Sequence, residues 1–162
     1  VLLSKTTLGL LIASAILSSA ANAQTSPYKK EGANYSEWAK GKFSEVVTVT
    51  NARRTIYMAG VGSEDENATS DARILYKDDF YKQCMYAWDK IKRTLEKQDA
   101  SLADVAKVTT YVTDIRYLRD AFKCRADTFG SIAQPAGTLV EVTALAWPGM
   151  MIEVDAIATS GR

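Results

Sequence analysis

The chain has 162 residues, 47% of them hydrophobic and 24% charged, with 20 Lys and Arg against 19 Asp and Glu. So even a balance, without basic runs, gives no electrostatic footprint for nucleic acid, which leans on clustered Lys and Arg. The sequence holds no histidine, which removes Ser–His and Cys–His nucleophilic systems and the usual zinc sites and leaves acid–base chemistry to carboxylates, Lys, Tyr, Cys or a bound water.

Lys5, the apolar run Leu8 to Leu17 and the small-residue tripeptide Ala21-Asn22-Ala23 have the layout of a secretory signal peptide over residues 1–23. Its apolar core is about ten residues, short of the roughly twenty of a spanning helix. On this reading the mature chain begins at Gln24 and is periplasmic or secreted, with no membrane association after cleavage. Losing Lys5 and no acid makes it neutral: 20 − 1 = 19 basic residues against 19 acidic. About 139 residues then remain, the size of one domain with a real core.

Residues 24–42 are polar and weakly patterned and read as a leader segment, with the domain proper over 43–162. Phe43 to Val49 and Thr55 to Ala59 are β-rich and separated by Asn51-Ala52-Arg53-Arg54, which predicts a hairpin. Residues 62–77 form a polar, acidic loop, with a short strand at 73–76 left open. Asp78 and Asp79 then offer an N-cap. Phe80, Cys84, Trp88, Ile91 and Leu95 recur at helical spacing, predicting a helix over about 79–97 with a core-facing stripe. A strand follows over 105–113. A second helix is expected over 117–129, with Leu118, Ala121, Phe122 and Phe129 on one side and Gly130 as its C-cap. Strands over 138–144 and 150–159, turned by Trp147-Pro148-Gly149, end the chain.

This order predicts an α+β fold, a mixed six-stranded sheet with two helices on one face. The last two strands carry apolar residues at both parities, so they want cover on both faces. The helices cover one face, and the other is expected to meet another subunit.

"SLADVAKVTTYVTDIRYLRDAF" followed by "QPAGTLVEVTALAWPGMMIEVDAIA" closely resembles the Rid family, the YjgF-like reactive intermediate (enamine/imine) deaminases, also known as liver perchloric-acid-soluble-protein endoribonucleases. The resemblance covers about residues 43–159. It implies a chorismate-mutase-like fold, a homotrimer with a central barrel, and a small-molecule pocket at each subunit interface. No metal or cofactor is implied.

In active members of the family an arginine follows the Pro-Ala pair and clamps the substrate carboxylate through its planar fork. Here that position is Gly137. The glutamate associated with placing the attacking water is retained as Glu153. Phe43 stands where the family has tyrosine, and Ala59-Gly60-Val61 where it has Ser-Gly-Gln. Thr138 and Leu139 complete the interface-pocket positions, and Trp147 is either a lid or an interface anchor. Alternation puts Glu153 on one strand face with Met151 and Asp155, so it also reads as part of a polar layer.

The signal-like N-terminus, with the family frame kept and Gly137 at the clamp position, thus reads as an exported binding module that has lost imine hydrolysis. The alternative is a deaminase or related hydrolase using Glu153 and an arginine from elsewhere, Arg73 being one candidate. A further alternative is a structural or partner-binding trimer. In this fold the two helices run parallel, and Cys84 and Cys124 lie at depths differing by about 3 Å. A disulfide and a pair of buried thiols both remain open.

Overall fold

The computed structural model describes residues 27–69 and 73–162. The signal peptide expected over 1–23 lies outside them. Six strands and two helices follow one another as β1 (Lys29–Ala33), β2 (Val46–Thr50), β3 (Arg54–Val61), α1 (Phe80–Glu96), β4 (Val105–Val112), α2 (Leu118–Phe129), β5 (Ala136–Glu141) and β6 (Ile152–Ser160). The fold class is α+β with a mixed sheet, as expected. The six strands are nevertheless divided: β3-β6-β4-β5 form one sheet, and β1 and β2 form a separate antiparallel pair. A single bridge, Ser44 to Ala136, joins the two.

One expected pairing is corrected. The strands at 46–50 and 54–61 do not form a hairpin with one another. β1 lies inside the segment read as an unpatterned leader, and it takes the edge of β2, Lys29 facing Thr50 and Ala33 facing Val46. At Asn51, whose φ is +54°, the chain leaves the small sheet. Arg53 then donates its N–H to the Ser160 carbonyl at 2.9 Å, and β3 pairs antiparallel with β6. The last two strands do not pair with one another either. β4 lies between them, parallel to β5 and antiparallel to β6. Met150 N–H closes the turn onto the Trp147 carbonyl at 3.1 Å, but that turn carries the chain across β4. The segment at 73–76 contributes only the isolated bridge of Ile74 with Glu64.

The helices form as their spacing dictates. The Asp79 carboxylate accepts from Lys82 N–H and caps α1, satisfying one of the donors that a helix start leaves open. Gly130, at φ +53°, ends α2. Phe80, Cys84, Trp88, Ile91 and Leu95 are all buried and pack on the β6 side chains Ile152, Val154, Ala156 and Ala158. Trp88 meets Phe129 of α2 edge to face at 5.2 Å. Cys84 and Cys124 are joined in a disulfide with Cα atoms 6.3 Å apart, which decides between the two readings of the cysteines.

Polar side chains fasten the loops to this core. Gln83, fully buried, donates to the Gly149 carbonyl at 2.8 Å and accepts Met151 N–H at 2.8 Å. The acidic loop is held to α1 by Lys90–Glu64 at 3.0 Å and by Nη1 and Nη2 of Arg93 on Glu66. Both helices lie on one face of the four-stranded sheet. On the opposite face Tyr57 is 78% exposed and Val140 38%. Among the described residues no helix is long and apolar enough to cross a membrane.

Candidate functional site

The alternation of β4, β5 and β6 decides what each expected site residue can reach. In β6, Ile152, Val154 and Ala156 point to the helices and are buried, so Glu153 and Asp155 point to the other face. In β5, Gly137 is in register with the buried Val108 and Leu139 with the buried Thr110. Gly137 and Leu139 therefore face the helices, while Thr138 faces away. Within the chain, Glu153 and Gly137 lie on opposite sides of the sheet.

On the helix side the structure encloses a cavity of about 320 Å³, at the small end of the range for ligand pockets. Its sheet-side wall is Thr110, Gly137, Thr138, Leu139 and Ile152. Leu118, Ala121, Phe122 and Arg125 of α2 form a second wall, with Cys84 and Trp88 of α1 behind them. Trp38 and Phe43, edge to face at 5.4 Å, and Ile115 complete the lining. Four positions singled out from the sequence, Phe43, Gly137, Thr138 and Leu139, are thus brought together.

Sequence reasoning missed Arg125. Its guanidinium lies against Gly137: a Cβ there would stand 3.0 Å from Nη2 and 3.1 Å from Cζ. Glycine leaves the space in which this side chain rests. Arg125 is buried and donates from Nη2 to the Pro135 carbonyl at 2.7 Å, while its Nε is enclosed without an acceptor. Burial alone pulls the guanidinium down to about 10, which leaves it charged at neutral pH. Arg73, the candidate suggested by the sequence, instead pairs with Asp65. The signal for Arg125 was present: it stands four residues from both Ala121 and Phe129, inside the apolar stripe of α2.

Gly60, Glu153 and Ala59 belong to other surroundings. Gly60 permits a close approach, since a Cβ there would fall 2.7 Å from Cδ and 2.9 Å from Cγ of Glu153. Burial first, and then Glu64 and Asp155, push the Glu153 carboxyl above its ordinary range. Tyr111 donates to Asp155 at 3.0 Å on the same face. A second hollow on this face is lined by Ala59 with Tyr57, Lys107, Thr109 and Asp155. Val61 pairs with Val154 beyond an irregularity in β3. Trp147 is 43% exposed on the loop before β6 and lines neither hollow.

The model of the family described as Endoribonuclease L-PSP matches residues 36–160. The chain belongs to that family. A RutC family protein of Pyrococcus abyssi is 32% identical over 118 residues, covering 73% of this chain and 86% of the relative. Among solved structures, a Rid family protein of unknown function from Yersinia pestis superposes with a TM-score of 0.71 at 22% identity, covering 83% of this chain and all of that one. A member of the YjgF/YER057c/UK114 family from Mycobacterium tuberculosis gives 0.55 at 29% identity, covering 82% of this chain and all of that one. The Rid-type resemblance and fold read from the sequence are borne out by these matches.

Proposed function

We propose that this L-PSP family member is an exported homotrimer that binds a small molecule and does not carry out imine hydrolysis. The observation that carries this reading is Gly137. The resemblance expects a carboxylate clamp at this position, and here a glycine yields its space to a helix-borne arginine on the face away from Glu153. Export is supported by the signal-like N-terminus and by the Cys84–Cys124 disulfide, a bond that persists in oxidising compartments. The trimer is supported by the apolar and aromatic groups on the helix-free face, Tyr57 and Val140 foremost. The ribonuclease activity in the family's name draws no support from a chain of net charge +1 without histidine.

A second reading is favoured by Arg125 itself. It is an arginine from elsewhere beside Gly137, as the deaminase alternative requires, with the water-placing Glu153 then supplied by another copy, since within the chain it lies on the opposite face of the sheet. Sedimentation and thermal shifts against a metabolite panel test the first reading. It expects a trimer whose melting temperature rises with a saturating ligand, by about 2.7 kcal/mol of stabilisation at a hundred times Kd. A micromolar monomer without any ligand response contradicts it.

A further inference from the structure

Among the described residues lining the helix-side cavity, Arg125 is the only charged one. A buried charge is normally paired, because desolvating it is costly and a guanidinium cannot escape by deprotonating. Arg125 has five donors. One meets the Pro135 carbonyl, the Nε–H meets nothing, and no carboxylate among the described residues pairs with it. Lys107, whose Nζ donates to Thr138 Oγ1 at 2.7 Å and to the Val108 carbonyl at 3.0 Å, lies on the other face of the sheet and lines the second hollow instead. Burial and the charge of Arg125 together lower the Lys107 ammonium from its ordinary value.

Apart from Thr110 and Thr138 the rest of the wall is apolar, with Phe43, Trp88, Leu118, Phe122, Leu139 and Ile152 facing the same space. One guanidinium, held at Nη2 by the Pro135 carbonyl but without a carboxylate partner, at the edge of a mostly apolar chamber matches a monoanion with an apolar body. A dianion such as a phosphate would leave charge against aromatic and aliphatic carbon. We propose that this cavity, within each protomer and on the sheet face opposite Glu153, binds small apolar monocarboxylates, with Arg125 seated in the space left by Gly137 as the residue that takes the carboxylate. The inference rests on the small-molecule-binding reading above and supplies its ligand class.

The test is calorimetric titration of the folded, disulfide-bonded protein with phenylacetate, its neutral isostere phenylacetamide, and inorganic phosphate, with tryptophan fluorescence as a second readout. Phenylacetate is expected to bind at least tenfold more tightly than the amide or phosphate, the lower end of what a charge-assisted hydrogen bond provides. Arg125→Met, which replaces a buried cation by an apolar chain of similar length, is expected to erase that preference while the protein remains folded and of unchanged oligomeric mass. Arg125→Lys is expected to retain only part of the preference, because an ammonium lacks the planar fork. Should Arg125→Met not fold, Gly137→Ala, which pushes the guanidinium from its seat, is expected to weaken phenylacetate without weakening the amide. Equal binding of acid and amide overturns the role of Arg125 and leaves the binding reading standing, whereas no binding of either overturns the assignment of this cavity. Phosphate competing as well as phenylacetate overturns the carboxylate assignment. Loss of the oligomer in Arg125→Met also overturns it, since Arg125 would then answer to a carboxylate of another copy.

Discussion

Reducing the Cys84–Cys124 disulfide is expected to cost the protein a large share of its stability. The two residues are 40 apart in sequence. Closing a loop of that length in the unfolded chain removes about 13 cal/mol/K of entropy, or about 4 kcal/mol at 25 °C. That is a substantial part of the roughly 5–15 kcal/mol that holds a domain folded. For a chain of this size it corresponds to a fall in melting temperature on the order of 10 °C. Both cysteines are buried between α1 and α2, so the native bond is shielded from reductant. The comparison therefore uses protein reduced while unfolded and then refolded under reductant, melted beside the oxidised form. Cys84→Ala/Cys124→Ala is expected to lose at least as much, because it also removes buried sulfur from a packed site. Coincident melts of the oxidised and reduced wild type would refute the reasoning. So would alkylation of both cysteines in denatured protein never exposed to reductant.

Three further outcomes follow from the contacts. Gly137→Arg, which places there the arginine that the resemblance expects, is expected to destabilise by about 1.5–3 kcal/mol, the worth of a hydrogen bond to a charged group. The new side chain displaces the Arg125 guanidinium from the Pro135 carbonyl, and denaturant melts measure the loss. Glu153→Gln is expected to flatten the pH dependence of stability. The folded-state pKa of Glu153 is raised, so its stabilising contribution is full below the unfolded value and is lost as pH rises through the folded value. The variant should therefore gain on wild type at pH 7 relative to pH 4, and equal differences at both would contradict this. Gln83→Leu is expected to cost about 1–3 kcal/mol, since it leaves Met151 N–H and the Gly149 carbonyl without their partner, and thermal melts check it.

How much was legible depended on whether a residue's role showed in periodicity. α1 and α2 could be read to within one or two residues because their apolar stripes recur at helical spacing and Asp79 and Gly130 mark their ends. β1 could not: Lys29, Glu31, Gly32 and Ala33 are exposed, so the strand has no buried face to create an alternation. Partners of strands were misjudged for a related reason. Sequence adjacency suggested a hairpin of the second and third strands, whereas hydrogen-bonding edges are allotted by the whole sheet, which gave β2 to β1 and placed β4 between β5 and β6. In the candidate site, the Pro-Ala frame drew attention to Gly137, and the last strand to Glu153. Their separation across the sheet was not legible, because it follows from the register of β5 and β6 on β4. Arg125 was passed over because a charged residue in a helix usually faces solvent, although its spacing from Ala121 and Phe129 placed it on the buried side.

The claim that binding has replaced imine hydrolysis is tested most directly by supplying the purified oxidised protein with imino acids generated from neutral and charged amino acids and following their hydrolysis. The account predicts a rate equal to the protein-free background for wild type and for Glu153→Gln alike. Hydrolysis well above background that Glu153→Gln abolishes would contradict it and establish the chain as a deaminase.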